Sequence, residues 1–242
     1  TTLNFSTGSF YQTPTYDPLT ATPENRQLKN LFARHYVVGI EHLFQEGLRF
    51  TTEVYRKDYR NWPVSRDDST RVLVSKGRKY ARGIDVFLQQ KLTGNVYGLV
   101  SYSLSWTRMK EPDKPEYDST YDNRHVFTLS LGYKRSDRWE ISAKWRYMNG
   151  RPYTPFLRRE PLPDGKWDAV YDDDHPNSAR YPDYHRLDVR YSTRKSFKTW
   201  NLVGYFEVEN VYARKNVWGY QWDREQGETV SYTHLRAHET SL

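Results

Sequence analysis

At 242 residues the chain has room for one all-β domain or two smaller ones, and no stretch approaches the roughly 18 apolar residues of a membrane helix or resembles the apolar core of a signal peptide. The 37 basic residues exceed the 30 acidic ones for a net charge of +7, but the two signs are interspersed and leave no basic face, which argues against nucleic acid as a partner. Cysteine is absent, so disulfide frameworks and thiolate metal sites are excluded.

In chain order, the first element is a weak strand candidate, NFSTGSFY, followed by a long polar loop from Gln12 to Ala33. YVVGIEHLF and GLRFTTEV come next, joined by the tight turn FQEG. In the latter, Leu48, Phe50, Thr52 and Val54 alternate with Arg49, Thr51 and Glu53, the period of two that marks a strand. A second loop is expected from Asn61 to Arg78. ARGIDVFLQQ and NVYGLVSYSLSW then pair across KLTGN. After a third loop, Lys110 to Asn123, RHVFTLSLGY and RWEISAKWRY are joined by KRSDR. In RWEISAKWRY, Trp139, Ile141, Ala143, Trp145 and Tyr147 oppose Glu140, Ser142, Lys144 and Arg146. The longest loop, Gly150 to Tyr184, precedes HRLDVRYST and WNLVGYFEVEN, joined by TRKSFKTW, and NVWGYQW is a last, weak candidate.

About ten strands result, many near the roughly 9 to 11 residues that a tilted strand needs to cross a bilayer. Tight turns alternate strictly with long loops, which in an antiparallel meander places every long loop on one rim. Aromatic residues form 16% of the chain, and Tyr133, Trp139, Trp200, Trp106 and Tyr147 fall towards strand ends, where interfacial girdles belong. The mean hydropathy of -0.96 does not oppose this, because barrel strands face lipid on one side only. The fold expected is an all-β, antiparallel up-and-down transmembrane barrel segment of about ten strands, an incomplete barrel. Its polar face would be a lumen lined by Arg49, Glu53, Asp85, Glu140, Lys144, Arg146, Arg186, Asp188, Arg190, Glu207 and Glu209. A soluble barrel would turn the same apolar face inward, so periodicity alone leaves the facing open.

The stretch YARGIDVFLQQKLTGNVYGLVSYSLSWT resembles a strand-turn-strand unit of TonB-dependent outer-membrane receptors, as do NGRPYTP, NSARYPDYHRLDVRY and YFEVENVYARKNVWGY. PENRQLKNLFARHYVVGIEH resembles the point where those receptors pass from an outer loop into a strand, with Asn30 and Leu31 where the family tends to have Pro and an acidic residue. The resemblance covers about residues 1 to 229. It implies part of a barrel of about 22 strands with a plugged lumen, in the outer membrane of a Gram-negative bacterium. It further implies active, TonB-coupled uptake of a small scarce nutrient such as an iron chelate, cobalamin or a glycan. The N-terminal plug and the box that contacts the TonB complex would lie upstream of Thr1. The partners implied are therefore outer-membrane lipid, the plug, the coupling complex and the nutrient. Neither an enzyme activity nor a cofactor is implied. The alternative is a complete small outer-membrane barrel acting as adhesin, pore or hydrolase, and a lectin-like soluble sandwich is a third reading.

Four groups of residues suggest sites. YDDDHPN, Tyr171 to Asn177, gathers hard oxygen ligands suited to Ca²⁺, but lacks the spaced pattern of a calcium loop and is read as a solvated acidic loop, so no metal site is assigned. His35, His42, His125, His175 and His185 are scattered without metal spacing or a nucleophile motif, and no catalytic residue is assigned. In NGRPYTP, Gly150 and Pro152 end a strand, which would set Arg151 and Tyr153 at the rim beside lipid headgroups. Tyr117, Tyr121, Phe156 and Trp167 in the outer loops could cover a sugar or a hydrophobic chelate, without any one being assigned to a ligand.

Residues 230-242, VSYTHLRAHETSL, lack a period-two apolar face and resemble the translation of a sequencing-library adapter. They are expected to be a disordered, non-native tail, which removes His234 and His238 from every site.

Overall fold

The computed structural model describes residues 1-66 and 71-233. Strand β1 (Thr2–Gln12) leads through helix α1 (Tyr16–Ala21) and a 3-10 turn (Pro23–Gln27) into β2 (Leu31–Gln45). There follow β3 (Leu48–Ser65), β4 (Leu73–Thr93), β5 (Val96–Lys110), the short β6 (Tyr117–Asp118), β7 (His125–Ser136) and β8 (Trp139–Met148). The longest connection holds β9 (Pro152–Tyr153), β10 (Phe156–Pro161), β11 (Trp167–Tyr171) and β12 (Ala179–Arg180). Strands β13 (Tyr184–Ser196), β14 (Asn201–Val208), β15 (Gly219–Asp223) and β16 (Glu228–Tyr232) end the described chain.

One antiparallel meander dominates, in the order β1-β2-β3-β4-β5-β7-β8-β13-β14, with β6 added to β5 to make a 10-stranded sheet. The sheet does not close: β1 and β14 end the path, and each has one strand neighbour among the described residues. This is the expected incomplete barrel wall. NVWGYQW contributes no wall strand, because β15 pairs with β16 in a separate hairpin. Val230 and Tyr232 pair there with Gln221 and Gly219, so strand structure runs past the boundary placed at 230. Ordered backbone pairing thus replaces the disorder expected at 230-232. His234 and His238 lie outside the described residues.

Tight turns alternate with long connections as expected, with one correction. The loop expected from Asn61 to Arg78 spans only Arg66 to Val72, because β3 and β4 stay paired as far as Ser65 and Leu73. Bulges near Trp62 absorb the irregularity, and Asn61 supplies the left-handed residue at φ 59°. With 18 and 21 residues these two strands exceed by far the length needed to cross a bilayer, so their upper parts stand above it.

Register sorts every wall residue onto a face. Arg49 pairs with Gln89, Gln89 with Leu99, Leu99 with Ser130, Ser130 with Lys144 and Lys144 with Asp188, a row across six strands that is polar except for Leu99. Glu53 opposite Asp85, and Arg190 opposite Glu207, share that face, as the expected lumen lining requires. The other face carries Val38, Val54, Ile84 and Leu104 in one row and Phe50, Leu88, Val100, Leu129, Trp145 and Leu187 in another. These apolar rows have no cover: Val54, Ile84, Leu131 and Ile141 are exposed, and the only large hydrophobic side chains buried among the described residues are Val64 and Met109. An uncovered apolar face of this extent requires lipid. Near the tight turns it is edged by Tyr133, Trp139 and Tyr191, whose rings lie 6.0 and 6.3 Å apart in sequence, as a girdle demands.

Asn25 fastens the first long connection. Fully buried, it donates through Nδ2 to the carbonyls of Pro18 at 2.8 Å and Arg71 at 3.2 Å, while its Oδ1 accepts from the Leu73 backbone N–H at 2.8 Å. One side chain so ties the α1 segment to the base of the β3–β4 tip.

Candidate ligand-binding rim

The third and fourth long connections are clamped together around two carboxylates. Asp122 is fully buried, and its Oδ1 accepts from the Thr107 backbone N–H at 2.6 Å. Its Oδ2 accepts from Arg124 at 3.0 Å and Arg180 at 2.5 Å. The Arg180 guanidinium also reaches Asp118 at 2.7 Å and the carbonyls of Asp122 and Gly150 at 2.8 and 3.0 Å. Arg108 stands 3.0 Å from Asp118, so three guanidinium groups surround two carboxylates. Multiple charge-assisted bonds of this kind offset the cost of burying the charges. The backbones close up at Gly150, where a Cβ would sit 1.5 Å from the Tyr181 carbonyl oxygen; only glycine fits.

The clamp positions β9 and β12 against the β15–β16 hairpin, and between them lies a cavity of about 630 Å³. Its walls are aromatic. Tyr153 packs at a tilt on Tyr181 at 4.5 Å and meets Tyr220 at 5.2 Å, Tyr181 and Tyr220 are 4.9 Å apart, and Phe156 packs on Trp222 at 4.6 Å. Burial, then the neighbouring Tyr220 and Tyr181, raise the Tyr153 phenol above its ordinary range, so it remains a neutral hydrogen-bonding group at physiological pH. Arg151 lies over the rings of Tyr181 and Trp218, 5.3 Å from each, and donates to the Trp218 carbonyl at 2.8 Å. A cavity of this size with flat apolar walls and a few hydroxyls suits a small, ring-bearing ligand.

Arg151 and Tyr153 thus turn into the outer-loop cavity and not towards headgroups, because β9 pairs with β12 and draws them under the loops. Of the four loop aromatics picked out in the sequence, Phe156 alone lines this cavity. Tyr117 is bonded to Glu111, Tyr121 lies beneath Lys79, and Trp167 is covered by Arg159 at 4.4 Å. Tyr181, Tyr220 and Trp222, which complete the walls, were not singled out; their only sequence signal was the aromatic excess of the loops. The histidines do not meet. His35 packs on Phe10, His42 bonds Thr1, His125 bonds Tyr102, His175 bonds Asp172 and His185 bonds Tyr212. In the acidic loop Asp172 is engaged by His175 at 3.1 Å, and among the described residues no group of three or more candidate ligands could hold a metal ion.

Around β13 the charges of the polar face are paired with one another. Asp188 takes bonds from Arg186 at 2.7 Å and Arg146 at 3.2 Å and from the Asn210 backbone N–H at 3.0 Å. Glu209 lies 3.1 Å from Arg186, and Ser103 donates to Asp85 at 2.5 Å. Tyr97 crosses over Gly132 to bond Glu140.

Solved structures share this architecture. The ferripyoverdine receptor of the outer membrane of Pseudomonas aeruginosa superposes with a TM-score of 0.61 at 13% identity, over 89% of this chain and 27% of its own. The ferric-catecholate import receptor Fiu from E. coli K12 gives 0.58 at 16% identity, over 96% and 31%. The copper transporter OprC gives 0.61 at 13%, over 88% and 32%. The chain therefore spans under a third of the length of these proteins. No curated relative matches it. The family model for the TonB dependent receptor-like β-barrel matches residues 1-211, and with an open, lipid-facing meander beneath long outer loops the chain belongs to that family of outer-membrane proteins.

Proposed function

We propose that the chain forms barrel wall and outer-loop binding surface in a receptor for TonB-coupled uptake of a small nutrient, with no catalytic step of its own. The observation that carries this reading is the aromatic cavity between Tyr153, Tyr181 and Tyr220, held by the Asp122–Arg180 clamp on the rim of the long loops. A rigid, pre-formed wall loses little entropy when a ligand docks. The partners in this reading are an N-terminal plug that closes the lumen and the TonB energy-coupling complex, which supplies the work of transport. The cargo in this reading is an iron chelate, cobalamin or a glycan, and the first of these is supported by the likeness to receptors for ferripyoverdine and ferric catecholates.

Uptake by cells carrying the full-length receptor tests this, with ferripyoverdine, a ferric catecholate, a copper salt, cyanocobalamin and maltooligosaccharides as probes. One probe is expected to enter only when the coupling protein is present, and Tyr153→Ala with Tyr220→Ala should lower its apparent affinity about tenfold, the loss of roughly 1.4 kcal/mol of stacking. Entry that persists without the coupling protein would make the barrel a passive pore. Unchanged affinity in the double variant would remove the cavity from the reading.

A further inference from the structure

The bulged stretch of β3 around Trp62 brings that ring to a lysine of the neighbouring strand. Lys79 pairs with Tyr59 of β3 and Met109 of β5, on the same face of β4 as Asp85 and so on the lumenal side, near the upper end of the wall. Its Nζ stands 4.7 Å from the centre of the Trp62 ring and 5.5 Å from that of Tyr121. The turn that carries Tyr121 is held to β5. In it the Ser119 N–H donates to the Thr107 carbonyl at 2.8 Å, the Asp122 N–H to the Ser119 carbonyl at 2.8 Å and the Asn123 N–H to the Tyr121 carbonyl at 3.0 Å. The buried Asp122 that clamps the rim therefore also fixes the second ring beside the ammonium.

Lys79 is half-buried, and its charge is not answered from within. Among the described residues no carboxylate lies within ion-pair reach of it and no acceptor takes a hydrogen bond from its Nζ. Aromatic rings attract an ammonium but leave its N–H groups without an acceptor. Glu111, in the adjoining loop, accepts from Tyr117 and stands 4.0 Å from Lys114. Lys79, Trp62, Tyr121 and Met109 line a pocket of about 200 Å³, which shares Thr120 and Asn177 with the 630 Å³ aromatic cavity. Asn177 is fixed at this junction. Its backbone is left-handed at φ 57°, its N–H donates to Thr154 Oγ1 at 3.1 Å, and its Nδ2 donates to the Asp118 carbonyl at 2.8 Å. Arg151, the cation of the aromatic cavity, is committed to the Trp218 carbonyl and to two rings. A flat aromatic wall and an ammonium with unmet donors thus adjoin.

We propose that the two cavities form one site for an anionic, ring-bearing chelate, whose rings lie against Tyr153, Tyr181 and Tyr220 and whose charged oxygen accepts from Lys79. The proposal rests on the uptake reading above and narrows its cargo by charge. Lys79 is then the residue that sets specificity, because its ammonium gains a charge-assisted hydrogen bond only from a ligand that brings an anion. A neutral ligand of the same shape displaces water from the ammonium and gives no anionic acceptor in return.

The test uses the full-length receptor in mild detergent and two ferric complexes with similar planar rings and the same oxygen shell, the anionic tris-catecholate and the uncharged tris-hydroxypyridinonate. Quenching of tryptophan fluorescence reads their binding. The catecholate complex is expected to bind about tenfold more tightly than the uncharged one. Lys79→Gln should erase that preference by weakening the catecholate complex alone, and Lys79→Arg should keep most of it. Equal binding of the two complexes, or a preference that survives Lys79→Gln, would overturn the proposal and leave the uptake reading standing. Binding of neither complex would also overturn it, and uptake of cobalamin or a glycan would then decide the uptake reading by itself. If Lys79→Gln fails the heat-mobility test of a folded barrel, salt decides. Rising NaCl should weaken the catecholate complex with the unmodified receptor and spare the uncharged one, and an equal response of both would overturn the assignment.

Discussion

Two pairs of arginines face each other directly across adjacent strands, Arg146 with Arg186 on the lumenal face and Arg56 with Arg82 on the outward face. Each pair has an aspartate two residues along one strand, Asp188 after Arg186 and Asp58 after Arg56. The outcomes differ. Asp188 is largely buried and bridges both lumenal arginines, with Glu209 adding a second carboxylate. Asp58 is more open and is held by Arg56, leaving Arg82 to the ring of Trp106. The same local motif closes a charge balance on one face and leaves an excess on the other. Charge within the wall is thus settled face by face, and the face that meets lipid is the one left cationic.

The sharpest test compares the two aspartates in the full-length receptor. Asp188→Ala removes the carboxylate shared by two partly buried arginines and should lower barrel stability by about 3 kcal/mol, whereas Asp58→Ala should cost less than about 1 kcal/mol. The midpoint of urea unfolding reads both, and equal losses would break the distinction between the faces. Asp122→Ala should cost about 2 kcal/mol of local stability at the rim, because Arg124 and Arg180 lose their buried acceptor. Limited proteolysis should then cut between 111 and 124, and a protected loop would show that the clamp is dispensable. Arg82→Gln should change stability by no more than about 0.5 kcal/mol, since it removes like-charge opposition along with an exposed side chain. A large loss there would mean that the outward arginine supports the wall itself.

The smallest effect expected is a pH dependence at Tyr117. Burial, followed by the bonded Glu111, raises this phenol above its ordinary value of 10.0. Its contribution is complete below pH 10.0 and is lost as pH climbs from there towards the folded value, because the unfolded chain ionises first. Alkaline proteolysis of the 111-124 loop should therefore accelerate above about pH 10, and Tyr117→Phe should flatten the response. An identical alkaline profile in the variant would assign the transition to another group.

The wall was legible in the sequence because a period of two needs no partner to be seen. RWEISAKWRY declares its faces by itself, and β8 takes them as written. Strands β3 and β4 were under-read because Trp62, Pro63 and Gly77 interrupt the alternation, and only the paired strand shows that bulges carry it through. The rim was the least legible part. Arg180 meets Asp118 from 62 residues away, and nothing local distinguishes that arginine from Arg158 or Arg159 in the same connection. Likewise Tyr181 and Tyr220 become a wall only when β9, β12 and the last hairpin are set side by side.

Asn25 bears on how loops of this protein can be exchanged. Since one amide holds Pro18, Arg71 and Leu73 at once, the first connection and the β3–β4 tip form a single cassette. A graft that replaces either segment alone strands a buried amide, whereas moving residues 13-30 together with 66-73 carries the knot intact.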